Sequence, residues 1–126
     1  MTNVTIKQNL TKYGKEKPAI DALGFGQHFT DHMFVLDYTE GQGWHDPRII
    51  PYQPLTLDPS CMVFHYGQTV FEGLKAYKTP NKEVLLFRPD QNFKRLNKSS
   101  ERMSIPALDE ELVLEGLKQL VTIDRD

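Results

Sequence analysis

The sequence has little of what would staple, anchor or metallate a protein. It contains a single cysteine, Cys61, so no intramolecular disulfide can form. No apolar run approaches the length of a membrane span, and none near the N-terminus resembles the core of a secretory leader. A reducing, cytoplasmic location is therefore the expectation. The four histidines, His28, His32, His45 and His65, lack the paired spacing of a zinc site, and no metal is expected. Walker loops, dinucleotide fingerprints, internal repeats and low-complexity tracts are all missing. So is a cationic surplus: 15 basic against 17 acidic residues give a net charge of −2, without the pervasive positive potential of nucleic-acid binders.

What remains is the composition of an ordinary globular unit. With 126 residues, 39% hydrophobic and 25% charged, one domain with one core is expected. The first stretch, residues 1–22, is polar and lysine-rich without sustained periodicity, and reads as a flexible arm or one that borrows its order. Residues 23–126 carry the patterned elements.

The stretch from His32 to Tyr38 has the β-branched and aromatic content of a strand, bounded by Gly26 and by Gly41 and Gly43. Pro47, Pro51 and Pro54 follow; they suit an extended edge or loop better than a central strand. Asp58 and Pro59 read as an N-cap and first helical residue for a short helix over 60–66. Two strand-like runs on either side of Pro80, Asn81 and Lys82 form a hairpin. Asp90 is placed to cap a helix to about Met103, and Asp109 to cap another, with Glu110 and Glu111 at its positive end. In that last helix Leu112, Leu117, Leu120 and Val121 share a side, with Glu115 and Lys118 nearer solvent. Strands first and helices after them give an α+β class.

Two groups of residues invite a chemical reading. Arg88, Lys94, Arg95, Lys98 and Arg102 crowd into one short stretch; Arg95 and Arg102 are two helical turns apart, with Lys98 and Ser99 close to Arg95. Such a face can dock an anion, because arginine's planar fork bonds phosphate bidentately and a serine hydroxyl adds a donor. From spacing alone, a solvated helix face is the more ordinary reading of the same composition. The stretch His65 to Gly73 sets Tyr66 and Phe71 among glycines, and can line a pocket or simply shape a turn around core aromatics, with Glu72 as a salt-bridged or capping carboxylate. Cys61, with His65 four residues on, lacks an oxyanion glycine elbow and reads as a small hydrophobe rather than a nucleophile.

Taken together, FTDHMFVLDY, GWHDPRIIPYQPLTLDP, FHYGQTVFEGLKAYK and LFRPDQNFKRLNKSSERMSIP resemble successive blocks of the branched-chain amino-acid aminotransferases, over roughly residues 23–126. That family belongs to the fold-type IV pyridoxal-phosphate enzymes. The resemblance implies a small α+β N-terminal domain, with an antiparallel sheet, a β-hairpin and two following helices, packed against a larger catalytic domain. It implies that Arg95 binds the phosphate of pyridoxal 5'-phosphate, and that Phe29, Tyr66 and Phe71 line the apolar pocket for the substrate side chain. Tyr66 is implied to reach the partner subunit's site. The implied reaction moves the amino group of leucine, isoleucine or valine to 2-oxoglutarate, in a homodimer or larger assembly, with no nucleic acid or membrane as partner.

In the family the catalytic lysine lies beyond the position matching Asp126, and Lys75, Lys94 and Lys98 do not correspond to it. The expectation is thus an N-terminal part without the catalytic domain, inactive by itself. Two alternatives stay open: a fold-type IV enzyme of different substrate, such as a D-amino-acid aminotransferase or aminodeoxychorismate lyase, and a non-catalytic anion-binding or interaction module.

Overall fold

Strand His32–Thr39 (β2) and strand Gly43–Pro51 (β3) pair antiparallel through a tight turn in which the Gln42 N–H donates to the Thr39 carbonyl (3.0 Å). Gly41 and Gly43, at φ of +84° and +82°, supply the left-handed backbone this turn needs. The computed structural model describes residues 4–126 of the chain. A short strand, Lys7–Gln8 (β1), runs parallel to β3 on its other side, so the sheet is mixed, in the order β1-β3-β2. The polar N-terminal stretch takes its order from β3: the Asn9 N–H donates to the Ile49 carbonyl (2.9 Å), and Ile6 is buried.

β3 is therefore a central strand, against the expectation from its prolines. The ladder shows how they are tolerated. Val35 pairs with Arg48 but Asp37 with His45, so β3 carries one extra residue in a bulge at Asp46 and Pro47, with Asp46 at φ +51°. β1 pairs only with Arg48 and Ile49, so Pro47 faces no ladder partner on that side. Pro51 closes the strand.

Helix Met62–His65 (α1) starts later than Asp58 suggested. The Asp58 carboxylate instead accepts from the Ser60 N–H (2.8 Å) and hydroxyl (2.6 Å), closing a side-chain turn ahead of the helix. The hairpin is present as Ala76–Lys78 (β4) and Val84–Leu86 (β5), with Lys82 at φ +63° in its turn. Its first strand begins at Ala76, and residues 67–75 run unpaired before it.

Helix Pro89–Arg102 (α2) has Arg88, in the left-handed region, at its N-cap position without a side-chain cap bond, and Asp90 falls in the first turn instead. Proline at the first helical position makes this start possible, since its missing N–H would have had no helical partner there. Helix Glu110–Ile123 (α3) begins as the sequence suggests: Asp109 accepts from the N–H of Glu111 (3.0 Å) and Leu112 (3.1 Å). α3 packs against β2 and β3, and α2 against α3. Asn97 joins the two helices by exchanging bonds with the backbone N–H (2.8 Å) and carbonyl (3.0 Å) of Leu108.

A buried polar clamp ties arm, sheet and α3 together. Thr11 N–H donates to His32 Nε2 (3.0 Å), so that nitrogen carries no proton and Nδ1 donates to Asp124 Oδ1 (2.7 Å). The His32 N–H donates to the other Asp124 oxygen (3.0 Å). No helix among the described residues is long and apolar enough to cross a membrane.

Candidate functional site

The densest polar arrangement forms where the unpaired run before β4 meets α2. Extended backbone points successive side chains to opposite sides. Phe71, Gly73 and Lys75 are accordingly exposed, while Glu72 and Leu74 are drawn inward. Glu72 reaches α2, where Asn92 and Arg95 stand one helical turn apart on a single face.

Glu72 uses both oxygens. Oε2 accepts from Arg95 Nε (2.7 Å), and Oε1 from Arg95 Nη2. Asn92 Nδ2 donates to Oε1 (3.0 Å) and also to the Gly73 carbonyl (2.9 Å), and the Gly73 N–H donates to Oε1 (3.0 Å). The Arg95 guanidinium thus meets a carboxylate fork to fork, the strongest form of this contact. These bonds, those from Arg95 foremost, hold the Glu72 carboxyl well below the usual carboxylate range, at about 2. Arg95 is shifted upward in turn by its bonds to Glu72.

Burial is uneven across the pair. The Glu72 side chain is only 9% exposed, and the Arg95 side chain 68%. The carboxylate therefore holds the inner edge of the guanidinium, and the outer edge faces solvent. Among the described residues Nη1 has no hydrogen-bond partner. Arg95, Lys98, Ser99 and Arg102 line one shallow recess along α2, with Glu101 as its only carboxylate. Arg95 and Ser99 also border the adjoining recess with Phe71, Glu72 and Gly73. Three cations and a hydroxyl around one opening make a competent anion-binding surface.

The aromatic residues singled out in the sequence lie in different places. Phe71 stands beside Arg95, its ring 86% exposed. Tyr66 ends α1, its N–H bonded to the Met62 carbonyl (2.9 Å), and its ring is exposed. The turn after it is tied to the end of α2 by Gln68 Nε2, which donates to the Met103 carbonyl (2.9 Å). Phe29 stacks on Tyr52, ring centroids 5.1 Å apart, and lines a separate apolar recess with Pro18, Ile20 and Leu23. Cys61 is only half-buried, short of the buried hydrophobe its sequence context suggested.

Asp37, His45 and Asp46 converge across the β2–β3 pair, their ligand atoms within 4.8 Å of one another. Their negative charge is already met, by Arg48 on Asp37 (2.7 Å) and by Lys7 on Asp46 (3.4 Å), and His45 is bonded to Asp46 and to Thr39. Glu72 reads from sequence as a salt-bridged or capping carboxylate without Arg95 as its named partner, and Asn92 passes unnoticed. The available signal was the three-residue spacing of Asn92 and Arg95 on a helix opposite a carboxylate flanked by outward-facing neighbours.

No family model matches the chain. The chain is 68% identical over 124 residues to branched-chain-amino-acid transaminase 1 of Bacillus subtilis (strain 168), covering 98% of this chain and 35% of that relative. It is 63% identical over 126 residues to branched-chain-amino-acid aminotransferase 2 of the same organism, covering 100% of this chain and 35% of the relative. Against the branched-chain-amino-acid aminotransferase of Mycolicibacterium smegmatis, identity is 48% over 115 residues, 85% of this chain and 31% of that protein. The chain spans about a third of the length of the curated relatives it matches. With such identity over nearly all of its residues, the chain corresponds to a stretch of about a third of a branched-chain amino-acid aminotransferase.

Proposed function

We propose that these residues serve a pyridoxal-phosphate-dependent transfer of the amino group of leucine, isoleucine or valine to 2-oxoglutarate, as the small N-terminal domain of a fold-type IV enzyme. The whole-chain similarity to branched-chain aminotransferases carries this reading. The donor set supports it. A phosphate monoester needs fixed cationic donors, and Arg95 offers an unused guanidinium edge beside Lys98, Ser99 and Arg102.

When bound, pyridoxal phosphate supplies the electron sink that lets an amino group be exchanged at carbon. The part of this chain is to hold and to select. Arg95 binds the phosphate through its outer edge, and Lys98 and Arg102 add positive potential there. Phe71, exposed beside Arg95, offers an apolar wall at the mouth of the same recess. Phe29 and Tyr66 complete the pocket together with surfaces from the rest of the enzyme or its partner subunit. A branched side chain offers hydrocarbon only, so it is selected by shape and by exclusion of water. The assembly is a cytoplasmic homodimer or larger. The catalytic lysine comes from outside these 126 residues, which by themselves are inactive.

The test compares the 126-residue chain with the full-length protein that contains it. Each is mixed with pyridoxal phosphate and its absorbance recorded before and after borohydride reduction, alongside leucine-to-2-oxoglutarate transfer. A lysine adduct and turnover in the longer protein alone is the expected result. Turnover by the 126 residues refutes their inactivity, and no transfer by either refutes the assignment.

A further inference from the structure

We propose that Glu72 is the positioning residue of the phosphate site: it fixes the Arg95 guanidinium from behind, so that the Nη1–Nη2 edge is presented outward to the anion. This rests on the reading of Arg95 as phosphate anchor and adds to it a residue that touches neither phosphate nor substrate.

Arg95 projects from α2 on a long, flexible side chain that is 68% exposed. Free in solvent, such a side chain samples many rotamers and must give them up when it binds. Glu72 removes that freedom beforehand. Its two oxygens take Nε and Nη2, which sets both the plane and the direction of the fork. Glu72 is itself held in place: it is 9% exposed, and Asn92 and the Gly73 N–H donate to Oε1 at 3.0 Å each. Asn92 also bonds the Gly73 carbonyl, so the backbone that carries Glu72 is pinned to the helix that carries Arg95. Carboxylate, helix and guanidinium form one rigid unit with a single unused edge.

Charge alone argues the other way. A carboxylate near a dianion repels it, so if electrostatics dominated, removing the Glu72 charge would tighten phosphate binding. Positioning predicts looser binding. The two accounts differ in sign, and the sign decides between them.

The experiment measures the affinity of the full-length enzyme for pyridoxal phosphate and for unphosphorylated pyridoxal, in wild type, E72Q, R95A and the double variant, with ligand-free thermal unfolding alongside. Glutamine keeps the shape but cannot accept both guanidinium bonds. E72Q should bind pyridoxal phosphate about tenfold more weakly, with pyridoxal affinity nearly unchanged, by analogy with the loss usually seen when a ligand's supporting partner is removed. The double variant should match R95A, because Glu72 acts only through Arg95. If E72Q fails to fold, N92A carries the test; it leaves both charges in place, frees Glu72 from one donor, and should lose about fivefold, the value of one hydrogen bond. Unchanged or tighter pyridoxal-phosphate binding in E72Q, with R95A weakened, overturns the positioning role and leaves the anchor reading intact. Equal weakening toward both ligands with a lower unfolding temperature overturns it too, as the mark of a merely structural ion pair. Unchanged binding in R95A defeats the anchor reading itself.

Discussion

Replacing Gly116 by alanine sets two effects of similar size against each other. Gly116 lies in the middle of α3 and is buried against β2. A Cβ there would stand 2.7 Å from Cε2 and Cζ of Phe34 and 3.0 Å from Cδ2. Ordinary carbon contacts fall at about 3.5–4.0 Å, so ring or helix must retreat by nearly 1 Å. Phe34 is half-buried and pairs across the ladder with the fully buried Ile49, so on that side the ring meets packed side chain rather than empty space. Overpacking of this kind costs about 1–3 kcal/mol. Alanine in place of a mid-helix glycine returns about 1 kcal/mol. The net expectation is a loss of about 1 kcal/mol, a fall of about 4 °C in midpoint for a domain of this size. Thermal unfolding of G116A measures it. F34L provides the internal control: with the ring gone, adding G116A should stabilise by about the full helix-propensity gain. An increase in midpoint for G116A in the wild-type background would refute the steric reasoning. The contact matters for the site because α3 seats α2, and α2 carries Arg95.

Three further outcomes follow from the same geometry. H32A strands the buried Asp124 carboxylate and the Thr11 N–H together, and should cost about 3 kcal/mol in urea unfolding, with faster amide exchange at Thr11; a loss under about 1 kcal/mol would mean that the clamp is dispensable. D109A leaves the Glu111 and Leu112 N–H groups without their cap and should cost about 1 kcal/mol, with D109N retaining most of it, read by the same unfolding curves. Glu72 is depressed from 4.5 to about 2, so its contribution to stability is fully present above its unfolded value and disappears as pH falls through about 2. Stability measured from pH 5 down to about 2 should therefore fall in wild type along a limb that E72Q lacks, and identical slopes would show that the pair does not form.

Legibility from sequence tracked the range of the interaction concerned. α3 was readable because cap, acidic first turn and apolar side all lie within its own residues. The β4–β5 hairpin was readable because its turn residues are contiguous. β3 was misread, since whether Pro47 harms a strand depends on what lies beside it, and a bulge and a two-residue β1 leave it without a ladder neighbour. α1 and α2 were each found but started wrongly, because Asp58 satisfies a local turn and Pro89 displaces Asp90 from the capping position. In the site, Arg95 stood out through its motif. Its union with Glu72, 23 positions earlier in the chain, needed the fold to bring an unpaired segment onto α2.

The thinness of the core explains why that union has to be polar. Among the described residues only Ile6 and Ile49 are buried apolar side chains, and both belong to the β1–β3 region. The chain exposes 10100 Å². A compact monomer of its mass exposes roughly 6,900 Å². The surplus is on the scale of a large, permanent interface. Phe71, exposed beside the anion recess, and Tyr66, exposed at the end of α1, lie on that uncovered surface, as does the outer edge of Arg95. No hydrophobic interior surrounds the guanidinium to fix it by packing. Its orientation must come from bonds that survive contact with water, and a carboxylate gripped by Asn92, the Gly73 N–H and the arginine itself is such a device. On the proposed reading, in which a second surface finishes the site, the first half must be in place before that surface arrives, and Glu72 provides this where the chain's own packing does not.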